Sequence, residues 1–399
     1  MTFGIFQDAY TRDLPLSGPK SSTGIIGTTT NGVMYLSMPI LSTLLDSGRW
    51  APYRRVVALA GLVLSSAAFL VSSWATAVWH LVVLQGVVAA LGGAMLFSPT
   101  TLWLDEWFKG GNRATAYGVS LASKNIVGTA CPFLMFGLLE KLGFRGTIRV
   151  WAGIVFATAV LGIFMIPNAT TPVTTRPRKI PWTFLRHQTF YIYALANVFQ
   201  SSGYGLPQTY LSEYASRQLH LSHILSSLML VAFNFPGVIS CVLFGLVSDK
   251  TSLSASTNTL ISAAGSGLCV FLLWGLKSHT VPAFLICFSI SYGAFAGGYS
   301  STWGGWIKEL EREAADGNEA INTGMVYGLF NGARGIGYVV GGLSGVELLN
   351  AGAVQTSRSL AFGTRYGSLI VFTGVCSMLG GWATAWRGCG WIKARVQRL

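Results

Sequence analysis

Charge is what this sequence has least of. Only 10% of its 399 residues are Asp, Glu, Lys or Arg, against about 25% in soluble domains. A water-soluble globular chain is excluded on that count. Acidic residues are scarcer still, 14 against 27 Lys and Arg, for a net charge of +13. The basic residues are scattered through short loops rather than gathered on one face, so they read as topology signals and not as a nucleic-acid surface. Cysteine is limited to positions 131, 241, 269, 287, 376 and 389, with no CxxC and no paired histidines nearby. A metal centre or a disulfide framework is therefore not expected, and five of the six fall in apolar stretches as small core residues. HExxH, GxSxG and a phosphate-binding loop are all missing. No catalytic constellation and no cofactor are expected, and no cleavable signal peptide is visible.

Apolar sequence is abundant instead. Hydrophobic residues make up 51%, the mean hydropathy is +0.52, and the 48 glycines suit helices that pack closely in lipid. A helix crossing a bilayer core needs roughly 20 apolar residues. Such stretches fall near 24–45, 56–73, 77–104, 114–138, 148–166, 189–209, 224–247, 259–276, 283–305, 323–349 and 366–386. The sequence therefore predicts an all-α, polytopic membrane protein that lives in the lipid bilayer. Residues 1–10 form an apolar stub too short to span; taken as the outer end of a first helix, it makes twelve helices, the first of them incomplete. Between 167 and 188, Pro167, Pro172, Pro177 and Pro181 break helices and Arg176, Arg178, Lys179 and Arg186 cluster. The expected organisation is an N-terminal bundle over 1–166, a polar linker over 167–188, and a C-terminal bundle with a short basic tail over 189–399. Counting Lys and Arg with the stub starting in the cytoplasm gives 16 on the cytoplasmic face and 9 on the other. That bias favours a cytoplasmic linker and C-terminus.

The two halves repeat. Phe3-Gly4-Ile5-x-Gln7 matches Tyr204-Gly205-Leu206-x-Gln208 at an offset of 201, and Ser42-x-x-x-Asp46 matches Gly245-x-x-x-Asp249 at 203. Tyr117-Gly118, five residues, then Lys124 matches Tyr327-Gly328, five residues, then Arg334, at 210. Near-constant offsets indicate parallel six-helix repeats related by a pseudo-twofold axis along the membrane normal. Lys124 lies eleven residues past Arg113 and Arg334 eleven past Thr323, which puts each cation about 16 Å into the membrane. A cation at that depth is costly and normally faces a watery cavity or a partner. No Asp or Glu lies at comparable depth. The alternatives are an internal pairing with helix carbonyls or snorkelling to the interface.

At this point the sequence resembles the monocarboxylate porter family of the major facilitator superfamily, and within it the fungal members. Gln85-Gly86, Gly92-Gly93, Phe97-Ser98-Pro99, Trp107-Phe108, Arg113, Ala116, Gly118, Pro132 and Gly143-Phe144-Arg145 to Arg149 carry the likeness in the first half, with Phe3 to Gln7 similar to the family's first-helix exit. In the second half Arg334-Gly335-Ile336-Gly337 resembles the penultimate helix of fungal members, and Gly245-x-x-x-Asp249-Lys250 is the general superfamily loop motif. Three departures stand out. The acid and arginine that characterised animal members place four residues apart for substrate and proton coupling are replaced here by Gly237 and Cys241. The family's lysine belongs to the part of the first helix that lies outside the stub, so it has no position to compare, and the family's usual Gly-Pro reads Gly341-Gly342.

The resemblance implies a major facilitator fold and a non-enzymatic secondary transporter working by alternating access. With the two deep cations, the expected substrate is an organic anion, a monocarboxylate or a carboxylated metabolite. Proton coupling rests on the resemblance alone. The alternatives are an exporter of a fungal secondary metabolite and a non-transporting sensor or inactive relative. Candidate substrate-binding residues are Arg334, Lys124, Gln200, Asn234 and Tyr327. Arg grips a carboxylate with two hydrogen bonds, Lys acts as a point charge, and the uncharged residues either line a pore or bond helix to helix. Asp46 and Asp249, each ending a helix on the cytoplasmic face, are candidate conformational gates that latch the halves through helix N-termini. Tyr204 and Tyr210 read as interfacial belt aromatics, His80 as interfacial, and Lys308 to Glu313 as a solvated amphipathic helix. A monomer in the plasma membrane is expected.

Overall fold

The computed structural model describes residue 17 and residues 24–108, 111–166, 182–354 and 359–387. The stub at 1–10, most of the linker and the basic tail lie outside the described residues. What is described is helical, with one isolated bridge between Ser17 and Ala77. The long helices are α1 (Gly24–Asp46), α2 (Arg54–Ser72), α3 (Val78–Trp107), α4 (Arg113–Met165), α5 (Gln188–Gln218), α6 (His223–Lys250), α7 (Ala255–Trp274), α8 (Pro282–Asp316), α9 (Thr323–Ala351) and α10 (Gly367–Leu379). Polar side chains cap three of them: Ser222, Ser254 and Asn322 each accept from a backbone N–H three residues on, satisfying one of the donors a helix start leaves open.

The sequence predicts two spans inside α4, and Gly143 is where they part. Its φ of +61° lies in the left-handed region within an otherwise continuous helix, a conformation glycine adopts without penalty. With α4 counted as two rods, the described residues hold the eleven expected spans, five before the linker and six after it.

The two halves meet along antiparallel helix pairs. α1 lies on α9, and the first rod of α4 lies on α6. Glycines make both approaches close: a Cβ on Gly328 would stand 2.8 Å from Ser42, and one on Gly245 would stand 2.6 Å from the Ala114 carbonyl. The pairs correspond under the sequence repeat, since Ser42 and Gly245 are matched positions. The matched Tyr117 and Tyr327 stack on each other, ring centroids 4.1 Å apart. A residue and its repeat partner touching in this way is what a pseudo-twofold between the bundles produces.

Six helices are long and apolar enough to cross a membrane by length and hydropathy: Ala51–Ser72, Val78–Trp107, Arg113–Met165, Ile224–Lys250, Ala255–Trp274 and Pro282–Asp316. Among the long helices, α10 is too short for that test, and α1, α5 and α9 fall short of it in composition. All three are rich in Thr, Ser, Asn, Gln or Gly, which suits helices turned toward the molecule's interior rather than toward lipid.

Candidate binding site

α9 carries Arg334 to the middle of the molecule, where the side chain is 4% exposed. Four aromatic rings surround its guanidinium. Their centroids are 5.1 Å away for Tyr35 of α1, 5.6 Å for Trp303 of α8, 5.7 Å for Tyr338 of α9 and 6.0 Å for Tyr204 of α5. The Lys124 ammonium lies 5.4 Å from the other partner of that set, the Tyr204 ring. The two cations found at matched sequence positions thus share one tyrosine. Among the described residues, neither is ion-paired with a carboxylate. Each ring within about 6 Å of a cation contributes roughly 0.5–2 kcal/mol of attraction. That attraction holds the charges in place without neutralising them, and the Arg334 Nε–H has no hydrogen-bond partner. A cation pair of this kind repels itself and attracts an anion; carboxylates and phosphates are the groups whose paired oxygens suit guanidinium donors.

Tyr327 packs on Trp303, one of the four rings. Its ring lies edge-on to Trp303 with centroids 5.5 Å apart, above the stack with Tyr117. Gln200 and Asn234 hydrogen-bond through their amide N–H groups to neighbouring helices or their own, and their side-chain oxygens are buried without a partner. The Gln200 amide donates to Ser266 Oγ over 3.4 Å inside the second bundle and packs on Gly380. The Asn234 amide donates to Leu230 O at 2.7 Å and toward Gly128 O at 3.4 Å, at the α4–α6 contact. Both take the helix-bonding alternative. Tyr204 and Tyr210 correct the belt expectation: both are buried, because the face of α5 that carries them turns inward. Gly237 and Cys241 explain the missing acid and arginine. A Cβ at Gly237 would lie 2.7 Å from the Asn125 amide, and Cys241 Sγ contacts Gly297 O at 3.2 Å, so this stretch of α6 is a helix contact with no room for a charged side chain. His80 accepts from the Thr76 and Ala77 N–H groups, each at 3.3 Å, and so caps the start of α3.

Past Tyr327 the two halves are joined by a polar network. Asp249 accepts from the Thr115 N–H at 2.7 Å and from its hydroxyl at 2.8 Å, and it is also bonded by Lys308. Asp46 pairs with Arg54 at 3.3 Å and accepts from the amide of Asn322, the N-cap of α9. Each aspartate therefore sits at the N-terminus of a helix from the opposite half, where the helix dipole favours a negative charge. Arg113 pairs with Asp105 at 3.2 Å and with Glu311 at 2.8 Å, and Asp105 accepts from the Thr323 hydroxyl at 2.5 Å. The Lys308–Glu313 segment is a correction too. It is amphipathic, but Trp306, Ile307 and Leu310 are fully buried and Glu309, Glu311 and Glu313 hold Tyr193, Arg113 and Thr189.

Away from this network α1, α5 and α9 border a partly open cavity that includes Asn31, Ser202, Thr209 and Tyr338 in its lining.

Residues 3–342 match the Major Facilitator Superfamily. The chain belongs to that superfamily. It is 25% identical over 349 residues to a fungal MFS-type transporter of Gibberella moniliformis, covering 85% of this chain and 79% of that one. It is 26% identical over 268 residues to monocarboxylate transporter 12 of Xenopus laevis, covering 60% and 57%. The crystal structure of the human organic anion transporter MFSD10 (TETRAN) superposes with a TM-score of 0.62 at 13% identity, covering 95% of this chain and 89% of that one, and so shares the fold. This superfamily member is a multi-pass integral membrane protein of a transporter family, with relatives among both the fungal transporters and the monocarboxylate transporters; membership places it outside the enzymes.

Sequence reasoning found Lys124 and Arg334 through their repeat. It missed Tyr35, Trp303, Tyr204 and Tyr338 as their surroundings. A signal existed for Tyr338, one helical turn beyond Arg334. For Trp303 none did, because α8 bends at a tight turn over Tyr299–Thr302 just before it.

Proposed function

We propose that this protein moves an organic anion, a monocarboxylate or a carboxylated metabolite, across its membrane by alternating access between an N-terminal bundle (1–166) and a C-terminal bundle (189–399). The observation that carries the reading is the pair of buried cations, Arg334 and Lys124, held by aromatic rings and left without a carboxylate partner among the described residues. Arg334 binds the carboxylate through two donors and Lys124 adds a point charge. Tyr327 forms the floor, and Asp46 and Asp249 act as latches whose release lets the floor part. Bound anion lowers the mutual repulsion of the two cations, so the loaded site is the one able to re-cross. The latched face is the cytoplasmic one in this reading, as the excess of Lys and Arg suggests, and the plasma membrane is the expected home of a monomeric carrier. Relatives among monocarboxylate transporters support the same substrate class.

The test is uptake of radiolabelled carboxylates into proteoliposomes, with a pH indicator inside to report any accompanying proton. Arg334→Gln is expected to abolish uptake at unchanged protein abundance, and Arg334→Lys to restore it only in part, because charge returns without the bidentate geometry. Uptake that survives Arg334→Gln would remove the main support for an anion site. Lys124→Gln separates the roles of the two cations: loss only in the double substitution means that either charge suffices.

A further inference from the structure

The cavity between α1, α5 and α9 adjoins the cation site but differs from it in chemistry. It is a partly open pocket whose lining includes Thr28 and Asn31 from α1, Ser202 and Thr209 from α5, and Tyr338 and Gly342 from α9, with no charged residue in the set. Tyr338 belongs to both places. Its ring is a wall of the cavity, stands 5.7 Å from the Arg334 guanidinium and stacks on Tyr35 with centroids 5.6 Å apart. Each of the three helices runs from the cations into the cavity: Tyr35 back to Asn31 and Thr28, Tyr204 on to Thr209, and Arg334 on to Tyr338 and Gly342. Arg334 and Gly342 are eight residues apart on α9, a rise of about 12 Å.

The hydrogen-bonding polarity of the cavity is defined by its own helices. The Thr28 hydroxyl donates to Gly24 O at 3.4 Å, Ser202 to Val198 O at 2.8 Å and Thr209 to Gly205 O at 3.0 Å, and the Asn31 amide donates to Gly27 O at 3.1 Å. With each hydroxyl proton directed at a backbone carbonyl four residues back, Thr28, Ser202 and Thr209 keep only oxygen lone pairs for an occupant, while Asn31 keeps its amide oxygen and one N–H. The cation end offers donors alone, while the three hydroxyls and the Asn31 oxygen make the cavity rich in acceptors.

We infer that the substrate is bipartite: a carboxylate head seated at Arg334 and Lys124, and an uncharged body about 12 Å long whose hydroxyl or amide donors bond to Asn31, Ser202 and Thr209. This rests on the anion-carrier reading and narrows it. A three-carbon monocarboxylate fills only the head site, a plain fatty acid leaves the acceptors without partners, and a second charge on the body meets no counter-charge in the cavity.

The experiment measures binding to the purified full-length protein in detergent by isothermal titration with three probes. L-lactate supplies the head alone, octanoate a head with an apolar body, and pantothenate a head with an amide N–H and two hydroxyls. Pantothenate is expected to bind at least about tenfold tighter than either other probe, in line with two or more neutral hydrogen bonds. The near-isosteric Asn31→Leu and Thr209→Val are expected to weaken pantothenate about three- to tenfold each and to leave L-lactate unchanged. Arg334→Gln removes binding of all three. Size-exclusion profiles matching wild type establish that the variants are folded. Equal affinities for pantothenate and octanoate, or cavity variants that change L-lactate as much as pantothenate, overturn the bipartite substrate while the anion site stands. Carboxylates that bind wild type and Arg334→Gln equally overturn the anion site itself, and the bipartite substrate falls with it.

Discussion

Arg334 is unusual less for its depth than for its company. A buried cation is ordinarily neutralised by a carboxylate, yet here the attraction comes from four ring faces, which stabilise the charge and leave it free to act. Tyr204 matters most in this arrangement, since both cations lie against it. Tyr204→Leu keeps most of the apolar volume and removes the quadrupole, so it is expected to lower stability by about 1–3 kcal/mol. In a thermal melt, added organic anion should return part of that loss in the variant, because the ligand supplies the compensation the ring gave. A variant as stable as wild type, or one that anion does not rescue, would show that the ring packs but does not hold the charges. The sequence announced the two cations because a repeat placed them at matching points of apolar spans. It did not announce Tyr204, which reads as an interfacial residue when only depth is considered. A tyrosine near a span's end gives no sign of which face of the helix it occupies, and α5 turns that face inward. Gln200 and Asn234 show the same ambiguity: a polar residue in a span has two uses, and their amide N–H groups bond to helix neighbours here.

At the scale of elements, span positions were legible almost throughout, because a stretch of roughly 20 apolar residues has few alternatives in lipid. The helices hardest to recognise from hydropathy are the ones that build the site. α1, α5 and α9 dilute their apolar sequence with the hydroxyls, amides and glycines that line the interior, so function weakens the very signal used to find them. The end of α8 was misjudged because its charges alternate with Trp306, Leu310 and Ala314, which recur every four residues and bury one face. The glycine-mediated helix pairs make the next expectation. A side chain at Gly328 would press on Ser42 from 2.8 Å, so Gly328→Leu should destabilise the protein by about 1–3 kcal/mol through overpacking. Gly143 is a control of opposite kind. A Cβ there meets nothing within 4 Å, and Gly143→Ala should cost only the backbone strain of a positive φ with ψ near 180°, about 1–3 kcal/mol. The two are distinguished in detergent melts by pairing each with Ser42→Gly, which should relieve Gly328→Leu and leave Gly143→Ala unaffected.

For the whole molecule, the two ends differ in how the halves are held together. One end is bound across the halves by charge-assisted bonds: Asp249 to Thr115, Arg113 to Glu311, Asp105 to Thr323 and Asp46 to Asn322. Toward the other end lies the uncharged cavity. A carrier held this way must break several strong bonds at once to open the bonded end, and each bond to a charged group contributes about 1.5–3 kcal/mol. Asn in place of Asp249 keeps the shape and loses the charge, so Asp249→Asn should shift the balance toward opening at that end by about tenfold, and Asp46→Asn by a similar factor. Because the two aspartates hold opposite halves at equivalent helix N-termini, the double substitution should add their effects. Spin labels at Tyr53 and Leu253, both exposed, report the separation of the halves by pulsed electron resonance. A longer-distance population should grow in each single variant and dominate in the double one, and high salt should enlarge it in wild type, since exposed members of the network are screened. Distances that stay fixed in all three variants while transport falls would mean that Asp46 and Asp249 cap helices without governing which end is open.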